Sequence, residues 1–84
     1  MTRVSGISTG STILVRFGIA IRAERRRLHM SQEVLADAAG IDRSHMGKIE
    51  RGERNVTILN IERIATALEI RPSTLFHLAE ASAE

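Results

Sequence analysis

The segment from Ser31 to Gly52, SQEVLADAAGIDRSHMGKIERG, constrains the fold more than any other part of the chain. Ser31 is a good N-cap, because its hydroxyl can accept a hydrogen bond from a free N–H of the first helical turn. Leu35 and Ala39 then recur on one helical face, and Gly40 suits a left-handed C-terminal cap. The pattern predicts a short helix from Gln32 to about Ala39.

A second short helix follows almost at once. Asp42 is an N-cap residue, Met46 and Ile49 recur at helical spacing, and Gly52 closes the segment, so we expect a helix from about Arg43 to Arg51. Gly47 falls inside it, where glycine costs about 1 kcal/mol relative to alanine. Either close packing or a close backbone approach must compensate, and the sequence leaves both open.

Three further helices are predicted around this pair. The first covers about residues 13–28, and the fourth begins after Thr57 and carries the strongest amphipathic stripe. The fifth is short and begins near Pro72, since proline is tolerated in a first helical turn. We therefore predict an all-α, five-helix domain at residues 13–80, a flexible N-terminal arm at residues 1–12 and a short tail at residues 81–84.

Composition excludes several classes of protein. The 84 residues contain no cysteine, so a disulfide framework or a thiolate metal site is impossible, and no apolar run approaches the roughly 18 residues of a membrane span. We expect a soluble, cytoplasmic protein. Residues 1–54 hold ten basic and six acidic side chains, whereas residues 55–84 hold two and four. The excess of positive charge therefore coincides with the two short helices, which suits a surface that faces phosphate.

No catalytic constellation is visible. His29, His45 and His77 are scattered, without the spacing of a zinc site, and no glycine-rich phosphate loop occurs. Asp42, Ser44 and His45 lie on one short polar stretch that capping and ligand contact explain better than catalysis does. We expect no enzyme activity, no metal and no cofactor.

The run IDRSHMGKIERGERNVTILNIERIATALEI resembles the Cro/CI-type, or XRE-type, helix-turn-helix regulators, and is most similar to the controller proteins of restriction-modification systems. The resemblance covers about residues 17–78. It implies a lambda-repressor-like bundle that acts as a dimeric transcriptional regulator and occupies a near-palindromic double-stranded DNA operator. His45 and Met46 depart from the family, which usually has an aromatic and a β-branched residue there, so its sequence preference does not transfer directly.

Four side chains of the second short helix are candidates for reading bases. Arg43 comes first, because it lies at the helix N-terminus and its planar fork can pair with guanine O6 and N7. Ser44 and Lys48 are able to reach bases or phosphates. For His45 two alternatives stay open, contact with DNA or exposure to solvent.

Seven residues are candidates for phosphate contact: Ser31, Gln32, Arg25, Arg51, Arg54, Asn55 and Thr57. The resemblance implies that Gln32 bonds a phosphate at the helix N-terminus, where backbone N–H groups favour anions. Arg54 and Asn55 have loop ordering as the alternative role. The resemblance also implies a partly buried ion pair between Arg25 and Glu50, with Arg25 able to touch phosphate as well.

Four apolar residues near the C-terminus are candidates for a homodimer interface: Ile70, Leu75, Phe76 and Leu78. The alternative is that all four belong to the core. A dimer would place two recognition helices about 34 Å apart, one turn of DNA. RNA polymerase is a further candidate partner through Glu33, Asp37 and Glu53, although solvated helix charges account for these residues more simply.

Two other functions remain open on the sequence. One is a phage-type or general XRE repressor, which would act by the same occupancy mechanism. The other is an antitoxin-like module whose main partner is a protein, with DNA binding secondary.

Overall fold

The computed structural model describes residues 12–82, and it confirms an all-α fold. Five helices, and no strand, occur within that range. They are α1 (Thr12–Arg27), α2 (Gln32–Ala39), α3 (Arg43–Glu50), α4 (Ile58–Ala67) and α5 (Pro72–Ala81).

The predicted N-terminal arm and C-terminal tail fall at the two ends of the described residues. The predicted arm at residues 1–12 lies outside the described residues except for Thr12, which begins α1. Of the predicted tail at residues 81–84, Ala81 closes α5 and Ser82 follows it. None of the five described helices is long and apolar enough to span a membrane.

Helices α2, α3 and α4 begin at the predicted capping residues. Ser31 Oγ accepts from Val34 N at 3.0 Å, and Thr57 Oγ1 accepts from Asn60 N at 3.1 Å. Asp42 Oδ2 accepts from the N–H groups of both Ser44 and His45. Because each such cap contributes about 1 kcal/mol, these three side chains fix where the short helices start.

The first four helices end in one way, with a residue in the left-handed conformation and a backbone hydrogen bond that reaches back across the last turn. Glycine takes this position after α2 and α3, at Gly40 and Gly52. His29 after α1 and Glu69 after α4 adopt it with φ of 57° and 62°, although a Cβ disfavours that region. Two of the four turns therefore contain local backbone strain.

The core is one apolar cluster to which all five helices contribute. Its largest fully buried side chains are Ile21, Leu35, Met46, Ile49, Ile64, Leu68 and Leu75. The two short helices α2 and α3 pack against each other, while α1 packs against α3 and α5, and α2 packs against α4. Leu75 is therefore a core residue, and its prediction as an interface residue was wrong, because the chain's own helices cover it completely.

Helix α1 crosses the C-terminal end of α3 at very short range. A Cβ at Gly18 would overlap the backbone carbonyl of Glu50, and a Cβ at Gly52 would lie 2.9 Å from the α-carbon of Val15. Both glycines are required by space, and Gly52 also by its φ of 75°. The position of α3 on α1 is thus set by backbone contact.

The strained turn after α4 yields a prediction about stability. We expect Glu69→Gly to raise the free energy of unfolding by about 0.5–1 kcal/mol, since relief of the left-handed penalty exceeds the entropy that glycine adds to the unfolded chain. Urea denaturation measures it. The matched control is Glu62→Gly, at an exposed position inside α4, which should lower stability by about 1 kcal/mol. Equal effects at the two positions would contradict the strain argument.

Candidate nucleic-acid interface

Helix α3 presents a polar face to solvent and an apolar face to the core. Met46 and Ile49 are buried, whereas Arg43 and Ser44 are exposed. His45 and Lys48 are half-buried. The four predicted base-reading residues are thus all on α3 and all reach the surface, on a helix whose start is capped by Asp42.

The predicted phosphate contacts are spread over the N-terminus of α2 and the connection from α3 to α4. Ser31 and Gln32 stand at the start of α2, where the first N–H groups have no partner within the helix. Arg51, Arg54, Asn55 and Thr57 are all exposed in the connection. Arg51 Nε lies 3.1 Å from Glu53 Oε2, an exposed pair of small energetic value.

A hydrogen-bonded ion pair ties this region to α1. Arg25 Nε donates to Glu50 Oε2 at 2.7 Å, and Nη2 donates to Oε1 at 2.9 Å. The side chains are only 11% and 3% exposed. The hydrogen bond to Glu50 raises the pKa of the Arg25 guanidinium, against an opposing effect of desolvation. A raised pKa means that protonated Arg25 stabilises the fold, and this stabilisation is fully present at neutral pH, far below the ordinary pKa of arginine, and would be lost only as the pH rose through the raised pKa.

Arg25 is consequently a structural residue. Its remaining terminal nitrogen, Nη1, donates to the carbonyl of Met30 at 3.0 Å, so the guanidinium braces the turn before α2 as well as Glu50. The geometry supports the predicted ion pair, and it leaves little of Arg25 to face a phosphate.

Gln32 takes part in the same network, which the sequence did not indicate. Its Nε2 donates to Glu50 Oε1 at 3.1 Å, and its Oε1 lies over the α-carbon of Gly47. The predicted phosphate ligand is therefore held in place by the carboxylate at the end of α3. No periodicity connects residues 32 and 50, so only the packing of α2 on α3 reveals the bond.

The predicted dimer residues differ from one another in exposure. Ile70 and Leu78 are half-buried and pack against the core, and Leu75 is in it. Phe76 packs edge-to-face on Phe17, with ring centroids 4.7 Å apart, and remains 38% exposed.

More apolar surface lies at the start of α4, at two residues that sequence reasoning missed. Ile58 is 76% exposed and Leu59 is 52% exposed. The sequence did contain a signal for the exposure of Leu59. Leu59 stands two positions before the inward-facing Ile61, and residues two apart lie on different sides of a helix.

Comparison with known proteins identifies the family. The helix-turn-helix family profile matches residues 21–75. The control protein C.MunI of Mycoplasma sp is 38% identical over 65 residues, which cover 76% of this chain and 88% of that protein. The control protein C.BamHI of Bacillus amyloliquefaciens is 41% identical over 66 residues, covering 77% and 82%.

A solved structure agrees with these sequence matches. The restriction-modification controller protein C.AhdI from Aeromonas hydrophila superposes with a TM-score of 0.76 at 48% identity, covering 77% of this chain and 98% of that one. This chain belongs to the helix-turn-helix controller proteins. The predicted family and fold are thereby confirmed, and members of this family are transcriptional regulators.

The ion pair yields a prediction for this controller protein. We expect Arg25→Gln to lower the free energy of unfolding by about 3 kcal/mol, because it leaves the buried Glu50 carboxylate without its counter-charge. Thermal and urea unfolding measure the loss. Arg27→Gln is the matched control, since Arg27 pairs with Glu24 on the same helix but is itself 57% exposed to solvent, and its loss should change stability by less than about 0.5 kcal/mol. Similar losses of unfolding free energy in the two variants would show that burial does not make the Arg25 pair more stabilising than the Arg27 pair.

Proposed function

We propose that this controller protein acts as a homodimer that occupies a near-palindromic operator and reads it with α3. The observation that carries the proposal is the polar face of α3, which consists of the exposed Arg43 and Ser44 and the half-buried His45 and Lys48, on a helix whose opposite face packs into the core. A rigid helix with polar side chains on its free face fits the major groove. The mechanism is occupancy of DNA and involves no chemical step.

Arg43 is the principal base-reading residue in this proposal. It is the first residue of α3, next to the Asp42 cap, and its side chain is exposed. The N-terminal residues of a recognition helix contact base edges, and an arginine there can make two hydrogen bonds to guanine. Ser44 and Lys48 lie four residues apart on the same side of α3 and extend the contact along the groove.

Phosphate contacts on both sides of α3 fix its depth in the groove. Ser31 and Gln32 offer the N-terminus of α2 on one side. Arg51, Arg54 and Asn55 lie in the connection after α3, and their exposure leaves them available to the DNA backbone. Such contacts position the protein without specifying sequence.

The dimer surface is proposed to include the start of α4. Ile58 and Leu59 are adjacent apolar residues with large exposed fractions, and burial of such side chains is worth about 1.5–3 kcal/mol each. Phe76 adds partly exposed apolar surface on α5. The proposed centre of the interface therefore lies earlier in the chain than the four residues chosen from the sequence.

RNA polymerase is proposed as a further partner of the DNA-bound dimer. Glu33 and Asp37 are exposed and four residues apart, so they share one side of α2. Glu53, the third acidic candidate, is already paired with Arg51. A carboxylate pair beside the DNA-facing helix supplies an acidic contact for a basic protein surface.

The first test is selection of bound sites from a random duplex pool. We expect the protein to enrich a two-fold symmetric site, and Arg43→Ala to weaken binding to it by about 1–3 kcal/mol while relaxing the preference at one base pair of each half-site. Arg63→Ala, which removes the same charge from an exposed position on α4, should leave the preference unchanged. Steeply salt-dependent binding without an enriched site would leave only nonspecific phosphate contact and would refute base reading.

The proposed dimer surface is tested by Ile58→Glu combined with Leu59→Glu. Two charges cannot be buried there without large cost, so sedimentation equilibrium should show monomers at concentrations where the native protein is dimeric. Val34→Glu is the control, because Val34 is also an exposed apolar residue but lies on α2. An unchanged dimer in the double variant would exclude this surface.

A further inference from the structure

The carboxylate of Asp42 uses only one of its two oxygens to cap α3. Oδ2 accepts from Ser44 N at 3.0 Å and from His45 N at 3.3 Å. Oδ1 accepts no hydrogen bond from any residue in the range 12–82, and Asp42 is exposed. An ionised carboxylate oxygen is a strong acceptor with two lone pairs. One oxygen of Asp42 is therefore available to a donor from outside the described part of the chain.

The backbone on both sides of Asp42 fixes the position of this oxygen. The preceding residue, Ile41, is buried, and its N–H donates to the carbonyl of Ala36 at 2.9 Å. The carbonyl of Asp42 itself accepts from Met46 N at 2.8 Å, the first hydrogen bond of α3. Because the two N–H groups on Oδ2 also hold the side chain, Oδ1 loses little conformational freedom when it accepts a further hydrogen bond.

Asp42 directly precedes Arg43, the principal base-reading residue of the proposed complex. The start of a recognition helix is the part that contacts base edges, so a residue that caps this start lies beside the bases as well. Within residues 12–82, the charged group of Arg43 forms no ion pair, with Asp42 or with any other carboxylate. Both opposite charges thus remain available to a ligand.

The charge of Asp42 limits the groups on DNA that Oδ1 is able to bind. Phosphate oxygens are negatively charged and carry no hydrogen to donate, so they repel a carboxylate. In the major groove the donors are the amino groups at cytosine N4 and adenine N6, whereas guanine and thymine present acceptors. The positive end of the α3 dipole offsets part of the carboxylate charge. The chemistry therefore selects a base that carries an amino group.

We propose that Asp42 is a specificity-determining residue that accepts, through Oδ1, a hydrogen bond from the amino group of a cytosine or adenine in each half-site. The inference rests on the proposed function and deepens it, because it adds a second base contact beside that of Arg43. Oδ2 continues to cap α3 while Oδ1 reads the base. One side chain thereby fixes the start of the helix and discriminates against guanine and thymine at one position.

The test is selection of bound sites from a random duplex pool with the native protein, Asp42→Asn and Asp42→Ser. We expect the native protein to enrich cytosine or adenine at a base pair next to the one that Arg43 reads. Asp42→Asn should lose this preference, because its oxygen is needed for the cap and only an NH₂ donor remains. Asp42→Ser should accept all four bases there, because its single hydroxyl is occupied by the cap. Both substitutes are good N-caps, so the melting temperature should change by less than about 5 °C.

Direct titration then measures the size of the effect. When the amino-bearing base is replaced by guanine or thymine in one half-site, the native protein should bind roughly tenfold more weakly, as is typical of one mismatched base pair. Asp42→Ser should bind the two duplexes equally. Glu69→Gln is the matched control, because it removes the same charge from an exposed position after α4 and should keep the native preference.

Three results would overturn the proposal. A native site without a cytosine or adenine beside the Arg43 position would leave Oδ1 without a partner. A native preference that persists in both variants would show that Asp42 only caps α3. A simultaneous loss of the preference at the Arg43 position, or a fall in melting temperature of more than about 5 °C, would show that Asp42 acts by holding α3 in place.

The outcomes also distinguish this inference from the proposed function. If the native protein enriches no site, the proposed function fails and the inference fails with it. If the native protein enriches a symmetric site that Arg43→Ala relaxes and neither Asp42 variant alters, only the role of Asp42 in base reading is refuted.

Discussion

Glu50, the last residue of α3, connects three of the five helices. Its carbonyl rests against the α-carbon of Gly18, and its carboxylate accepts from Arg25 on α1 and from Gln32 on α2. One residue thus joins three helices by a backbone contact and by charge-assisted hydrogen bonds, which are stronger and more directional than neutral ones. Because its side chain is almost fully buried, loss of any one partner would leave a desolvated carboxylate poorly satisfied.

This junction explains how a helix as short as α3 is held rigidly. An isolated eight-residue helix is marginal in water, so α3 depends on packing and on its ends. Asp42 caps the start, Met46 and Ile49 fill the core, and Glu50 fixes the end. Every buried side-chain nitrogen and oxygen within residues 12–82 has a hydrogen-bond partner, so the network is complete. The polar face of α3 can then carry side chains that are not needed to hold the helix in place.

The left-handed residues show where the chain departs from its most stable sequence. Gly40 and Gly52 adopt the left-handed conformation without strain, whereas His29 and Glu69 adopt it although they carry a Cβ. Gly47 is the opposite case, because there a glycine occupies a position that ordinary helical geometry would give to another residue. The residue present therefore does not always match the local backbone preference, since two left-handed positions carry a Cβ and one glycine lies inside a helix.

The five helices, the side-chain caps of α2, α3 and α4 and the helix-turn-helix family could be predicted from the amino-acid sequence, because capping residues, helical periodicity and proline act over a few neighbouring positions. The polar face of α3 was also visible there and, through resemblance, so was the pairing of Arg25 with Glu50. The packed structure was needed to show that Leu75 is core, that Ile58 and Leu59 are exposed, and that Gln32 bonds Glu50 above Gly47. These facts depend on how the helices cross. Burial and side-chain contact are set by residues distant in the chain, and no local pattern records them.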